Sequence, residues 1–241
     1  MWLLHTSNPV LHQFTGVDTP HYAIFSHTWG KEEVTFDIMQ EYHQTGRRPC
    51  LAGYEKVEQC CAKARSAGFE WVWIDTCCVD KRSSAELSEA LNSMFRWYQG
   101  ATICYAYLED YTAGKSELSD SRWFTRGWTL QELIAPPTVE FLAKDWTEIG
   151  TKTSLQKEIA RITGVNSRIL CRISHVGKAS VAKRMSWAAR RQTSRLEDEA
   201  YCLMGLFGVN MPMLYGEGKM AFERLQLEII KNSNDHSIFA W

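Results

Sequence analysis

Trp71-Val72-Trp73-Ile74-Asp75, then Ser83 with Glu86 three residues on, then Thr102-Ile103-Cys104-Tyr105-Ala106-Tyr107-Leu108: this run decides the fold. The first and last segments are apolar throughout, as strands covered on both faces must be. Ser83 and Glu86 have the spacing of a capping box, which opens a helix. Behind them Leu87, Ala90, Leu91, Met94, Phe95 and Tyr98 recur at helical spacing, and Gly100 ends the run. The stretch therefore reads strand, helix, strand.

Working outward, the same alternation continues. Tyr22-Ala23-Ile24-Phe25-Ser26 reads as an earlier strand. Tyr54, Val57, Cys61 and Ala64 share a helix face that Gly68 terminates. Trp128 to Ala135 reads as a short helix stopped by Pro136-Pro137, and Thr138-Val139-Glu140-Phe141-Leu142 as a fourth strand. This predicts an α/β fold with a doubly wound parallel sheet over residues 1–150. Leu155, Ile159 and Ile162, then Ala200, Leu203, Met204 and Phe207, then Phe222, Leu225 and Ile229 each mark a helix. Residues 151–241 thus read as an appended, mostly helical C-terminal region packed on the sheet.

Composition narrows the function. Lys and Arg number 27 against 28 Asp and Glu, a net charge of −1, so no basic excess points to nucleic acid. Apolar residues at 45% and charged residues at 23% are globular proportions, not those of a disordered chain. The eight cysteines contain no C-x-x-C and suit neither a disulfide framework nor a zinc site. Reduced, buried thiols in a cytoplasmic protein are expected. Met1 to His5 lacks the basic start of a signal peptide. Ala200 to Gly216 is uncharged but is broken by Gly205, Gly208, Asn210, Pro212 and Gly216, so no membrane span is expected.

In an open parallel sheet, ligands bind beyond the carboxyl ends of the strands. That rule selects Ser26-His27-Thr28-Trp29-Gly30, Asp75 to Asp80, and Glu109-Asp110 with Arg122 to Glu132. Glu132 is the sharpest candidate, a carboxylate one turn into a short helix beside Arg126 and Trp128. It also has a purely structural reading, because Thr129 and Glu132 match a capping box. Ser26 and His27 are neighbours on a strand and so face opposite ways; they do not form a dyad. His27 is otherwise a hydrogen-bonded loop residue. Cys77 and Cys78 could supply a nucleophile or be small buried thiols. Asp75 and Asp80 are a weak metal pair, better read as turn residues. No metal site is expected. The dinucleotide and P-loop glycine fingerprints are absent. Lys178, Lys183, Arg184, Arg190, Arg191 and Arg195 form a basic stretch, read as a solvated helix face or a docking surface.

Three of these segments carry a resemblance. Tyr22 to Gly30, Trp73-Ile74-Asp75-Thr76-Cys77-Cys78-Val79-Asp80-Lys81, and Arg122 to Leu133 resemble, in order, the three signatures of the fungal HET (heterokaryon incompatibility) domain. Arg195 to Tyr201 and Met211 to Gly218 resemble the downstream segment of the subgroup found ahead of NACHT and WD-repeat modules. The resemblance implies a cell-death effector of fungal nonself recognition and a TIR-like (flavodoxin-like) sheet. In NAD-cleaving TIR domains the acting glutamate lies in a W-C-x-x-E-L context. Here Trp128-Thr129-Leu130-Gln131-Glu132-Leu133 is similar, with Thr129 in place of the cysteine.

Two functions follow. As an enzyme, the domain would take NAD as substrate and need no cofactor. Glu132 would be catalytic, with Ser26, His27, Trp29, Asp75, Cys77, Arg126 and Trp128 around the substrate. Self-association would complete the site, and NACHT/STAND-type receptor modules are expected in cis or trans. As a non-enzymatic death adaptor, the domain would act through homotypic assembly and partner recruitment. A cysteine hydrolase using Cys77 or Cys78 is a third, minor reading.

Overall fold

A computed structural model describes residues 1–240. In chain order the elements are β1 (Trp2–His5), β2 (Leu11–Gln13), β3 (Tyr22–His27), α1 (Phe36–Thr45), α2 (Ala52–Ser66), β4 (Trp71–Trp73), α3 (Ser84–Gly100), β5 (Ile103–Tyr107), α4 (Thr129–Ile134), β6 (Val139–Leu142) and β7 (Glu148–Thr151). After them come α5 (Gln156–Thr163), α6 (Ser167–Leu170), α7 (Val181–Ala188), α8 (Asp198–Tyr201), α9 (Met204–Phe207) and α10 (Met220–Asn232).

The sheet has seven strands in the order β2-β1-β4-β3-β5-β6-β7. The four strands legible in the sequence, β3, β4, β5 and β6, form its parallel centre. The expectation of a parallel sheet holds for this centre and is corrected at both edges. β1 and β2 form an antiparallel pair joined to β4, and β7 turns back antiparallel on β6. The short connections from β1 to β2 and from β6 to β7 permit only antiparallel neighbours, and antiparallel edges on parallel sheets are common. These short edge strands, and helix α1, had no clear periodic signal.

The helices cover both faces. Lys63 of α2 pairs with Glu140 of β6 at 2.5 Å and lies over the Tyr105 ring, so α2 covers the face of Tyr105 and Phe25. Trp73 packs edge-on against Trp97 and Tyr98 of α3, at 5.6 and 5.8 Å, and so marks the opposite face. α4 shares that second face through Ser26, as described below. Ser83 caps α3 by accepting the Glu86 N–H, but Glu86 completes only half the box. Its carboxylate instead accepts Trp2 Nε1–H at 2.7 Å and ties β1 to α3. Gly68, at φ +84°, adopts the left-handed conformation that ends α2 without a Cβ penalty.

The expected helix over Ala200 to Phe207 is split into α8 and α9. Leu203 N–H bonds three residues back to Ala200 and tightens the turn between them. The buried side chains of both halves of the chain join one apolar core. All eight cysteines are unpaired, and six of them are buried. Among the described residues no helix is long and apolar enough to cross a membrane.

α9 meets α3 through Gly205. A Cβ there would lie 2.1 Å from Phe95 Cβ and 2.7 Å from its Cγ, contacts that a rotamer change cannot relieve. Gly205→Ala should therefore destabilise the fold by about 1–3 kcal/mol through overpacking. Urea unfolding should show a lower midpoint with an unchanged slope; an unchanged midpoint would mean that this contact yields freely.

Candidate functional site

The chain passes from β3 to β4 on one side, then crosses back to β5 on the other. Loops leaving these strands in opposite directions open a crevice at their carboxyl ends. A cleft of about 580 Å³ lies there, lined by residues that follow β3, β4 and β5 and by a wall from Gln192 to Asp198 with Tyr215. A second, shallower hollow of about 560 Å³ shares Arg122 with it. Several of its charges are spent on one another: Arg122 pairs with Glu109 and Asp110, and Lys56 with Glu33. The cleft, in contrast, keeps unpaired polar groups.

Glu132 lines the cleft from α4. It is 5% exposed, and every residue of α4 is buried. Its Oε2 accepts the Ser26 hydroxyl, and Ser26 Oγ in turn accepts Trp123 Nε1–H at 2.7 Å. Burial pushes the carboxyl up to about 7 against the pull of Ser26; Asp75 adds to the rise, and Arg126 and Tyr98 oppose it. The capping-box reading is overturned. α4 has no side-chain cap, and the Thr129 hydroxyl packs against the carbonyls of Trp123 and Arg126. Glu132 is therefore not occupied in closing its own helix.

A second cluster surrounds His27. Its ring stacks on Phe25 at 4.7 Å. Its Nδ1 lies 3.8 Å from Asp75 Oδ1 and its Nε2 3.6 Å from Glu33 Oε2, too far for hydrogen bonds. Burial acts to raise the Glu33 pKa, but His27, Lys56 and the Gly30 N–H outweigh it and hold the carboxyl at about 2. Both His27 nitrogens, Thr28 Oγ1, Asp75 Oδ1 and Thr76 Oγ1 are buried without a partner. Such orphaned groups are costly and rare, and their concentration at one set of strand ends marks a place built for something other than stability. Trp29 Nε1–H donates to Asp75 Oδ2 at 2.8 Å, and Lys81 Nζ sits 3.8 Å over the Trp29 ring.

The fold thus brings His27, Trp29, Asp75, Arg126, Trp128 and Glu132 to one cleft. Ser26 is not on its wall: it is 1% exposed, behind Glu132, on the face of β3 opposite to His27. Its contact is with the carboxylate, not with a ligand. Cys77 is also displaced from the expected site. It is fully buried, its thiol turned back toward the Ile74 carbonyl. Contact with Cys78 and burial both push that thiol well above its ordinary range, away from the thiolate that a nucleophile needs. Cys78 faces the Val72 carbonyl in the same way. Among the described residues no group of three or more His, Cys, Asp or Glu is placed to hold a metal ion.

The far wall was not read from the sequence as part of the site. Arg195 lies 4.4 Å over the Tyr215 ring, and the Tyr215 hydroxyl donates to Asp198 Oδ1 at 2.9 Å. Burial raises the Asp198 pKa; the Tyr215 and Trp128 side chains pull it back. Glu197 locks the two segments together by accepting the N–H groups of Gly216 and Gly218. The dense polar and aromatic runs Arg195–Tyr201 and Met211–Gly218 were the available signal. The basic stretch is also reinterpreted. Arg184 bonds to the Leu206 carbonyl and Arg191 to the Arg126 carbonyl, so these two cations serve the fold, while Arg195 stacks on Tyr215 in the cleft wall.

Residues 22–118 match the family model described as "Heterokaryon incompatibility protein (HET)". The "Vegetative incompatibility protein HET-E-1" of Podospora anserina is 45% identical over 226 residues, which cover 88% of this chain. The chain spans only 16% of that relative's length. No solved structure matches the chain. From β3 through β5 the matched segment supplies the central strands and the His27–Asp75 side of the cleft: the chain carries a heterokaryon incompatibility (HET) domain.

Proposed function

We propose that this HET domain is the death effector of a fungal vegetative incompatibility system, and that it acts by cleaving NAD at the nicotinamide–ribose bond. The observation that carries the reading is Glu132: a buried carboxylate at a cleft beyond the parallel strands, held by Ser26 and committed to no ion pair. The parallel strands run in the order second, first, third, fourth, which supports a TIR-like, flavodoxin-like sheet with its ligand site at the switch point.

NAD would lie along the cleft. The bond between the ribose C1′ and the pyridinium nitrogen breaks, and its electron pair leaves with neutral nicotinamide. The ribosyl cation that develops is oxocarbenium-like. Ionised Glu132 stabilises that charge or holds the ribose hydroxyls. Water then adds to C1′ and loses a proton. Arg126, Lys81 and Arg195 are the cations available to the phosphates. Trp128 offers a ring for stacking, while Lys81 already covers one face of Trp29. NAD is consumed as substrate, so no cofactor enters the cycle. The unpaired thiols suit the reducing cytoplasm. The relative extends far beyond the matched region, which leaves room for receptor modules of the NACHT/STAND type that assemble several copies. Self-association would then complete the site.

Nicotinamide release by wild-type protein at high concentration, beside Glu132→Gln, tests this reading. The substitution keeps shape and removes charge. Release should fall roughly 10²–10³-fold, the usual cost of losing one preorganised charge-stabilising group. No release from either protein, folded and assembled, would leave the adaptor reading.

The pH dependence has a definite sign. Glu132 must be ionised to act, so turnover should rise with pH through about 7 and then level. Stability should run the other way. The folded carboxyl titrates higher than the unfolded one, at about 7 against 4.5. Its contribution is complete below pH 4.5 and is lost as pH rises toward 7. Glu132→Gln should thus gain stability relative to wild type between pH 5 and pH 8, on the order of 3 kcal/mol. Denaturant unfolding at both pH values measures the gain; equal gains at the two would show that the carboxyl is not desolvated.

A further inference from the structure

Neither Lys152, which is buried, nor Arg191, which is half-buried, lines the cleft, yet each reaches one end of the short helix that carries Glu132. Arg191 follows α7. Its Nη1 donates to the Arg126 carbonyl at 2.8 Å and to Thr129 Oγ1 at 2.9 Å, and its Nε to the Trp187 carbonyl at 3.3 Å. The backbone beside it is stitched to the same place. Gln192 N–H donates to the Thr125 carbonyl at 2.7 Å, and Gly127 N–H to the Gln192 carbonyl at 2.8 Å. The approach is so close that a Cβ on Gly127 would meet Thr193 Cγ2 at 2.5 Å. At the other end, Lys152 is 1% exposed. Its Nζ donates to the Leu133 carbonyl at 3.1 Å and to the Pro136 carbonyl at 2.5 Å.

We propose that Arg191 and Lys152 are positioning residues that clamp the six-residue helix α4 from its two ends and so fix Glu132 in the cleft. A helix of six residues is too short to hold itself. Its last carbonyls are orphans that a cation satisfies well, and the residues that enter it have no side-chain cap. A charge held in such dry places has to be compensated by hydrogen bonds or by opposite charge. Lys152 spends its donors on the helix end. Arg191 has one nitrogen, Nη2, buried without a partner, and Glu132 is among the negative groups that hold its charge. The clamp is worth most if α4 must not move, and the only carboxylate on α4 is Glu132.

The inference rests on Glu132 being the acting carboxylate, and its test separates the two ideas. Amide hydrogen exchange is followed in full-length Arg191→Met, Arg191→Lys and Lys152→Met. In the same proteins, carbon-13 NMR follows the titration of the Glu132 carboxyl, and nicotinamide release is assayed. Exchange in Leu130 to Ile134 should rise roughly tenfold in both methionine variants, the loss expected for a charge-assisted hydrogen bond. Exchange in β3 and β5 should stay at the wild-type rate. The groups facing Glu132 are Ser26, Tyr98, Asp75, Arg126, Cys104 and Arg191. Removing the Arg191 charge should therefore move the Glu132 midpoint up, whereas Arg191→Lys, which keeps the charge and loses the fork, should leave it near wild type. kcat should fall roughly 10²-fold in the methionine variants with KM little changed, as misplacement of a catalytic group requires. Exchange that rises equally in α4 and the central strands, or in neither, overturns the clamp. A wild type that releases no nicotinamide overturns the NAD reading alone, because exchange and titration still judge the clamp. If a methionine variant does not fold, Arg191→Lys decides through exchange in α4.

Discussion

A carboxylate removed from water at the bottom of the sheet's crevice is the constraint around which the rest of this domain is arranged. Burying an ion without a counter-ion is expensive, and the group responds by holding its proton more tightly. Here the surroundings only partly offset that cost. One hydroxyl, Ser26, donates to Glu132, and an indole, Trp123, fixes that hydroxyl from behind. The arrangement needs β3, the turn before α4 and α4 itself in one register, because each supplies one member of the chain. A loop position could not keep Glu132 both dry and aimed.

The parallel centre of the fold was legible because it follows from local rules. Apolar strands, the Ser83 cap and the stop at Pro136-Pro137 each speak for their own segment, and all agree. The edges were not legible for the converse reason. β1 and β2 have four and three residues and gain their order from partners such as Trp71, which collects the rings of His5, His12 and Phe14. The site divides in the same way. His27, Asp75 and Glu132 sit where strand ends must place them. Asp198 and Tyr215 are brought together at the cleft by contacts between distant segments, Glu197 with Gly216 and Gly218 and Tyr201 with Leu214 and Glu217, that no spacing announces. Cys77 misled because a residue after a strand can turn inward as readily as outward, and this one does.

The two polar clusters differ in kind. Glu132 is satisfied and dry, which suits a group that must hold one position. The His27 cluster is unsatisfied: an imidazole sits between Asp75 and Glu33 without a hydrogen bond to either. Such a group gains most from a ligand or water that bridges it. The pair divides the cleft into a fixed end and an end that a ligand can reorganise. Cations stand between and across them, Lys81 over Trp29 and Arg195 over Tyr215, each placed on an aromatic face and not in an ion pair. A guanidinium or ammonium held that way keeps its charge available to an anion.

The segment after β7 is thus more than an attachment. It supplies the far wall of the cleft, and it supplies both cations at the ends of α4. A sheet cut off after Thr151 would keep Glu132 in its sequence but lose the Lys152 donor at Leu133 and Pro136 and the Arg191 donor at Arg126. The helix would then have six residues, no cap and two unsatisfied ends, conditions under which isolated helices do not persist. Glu132 would be left to solvate itself, and a solvated glutamate is an ordinary acid. The geometry at the strand ends therefore draws on residues well downstream of the helix that displays Glu132, and the residues lining the cleft are spread from His27 to Tyr215.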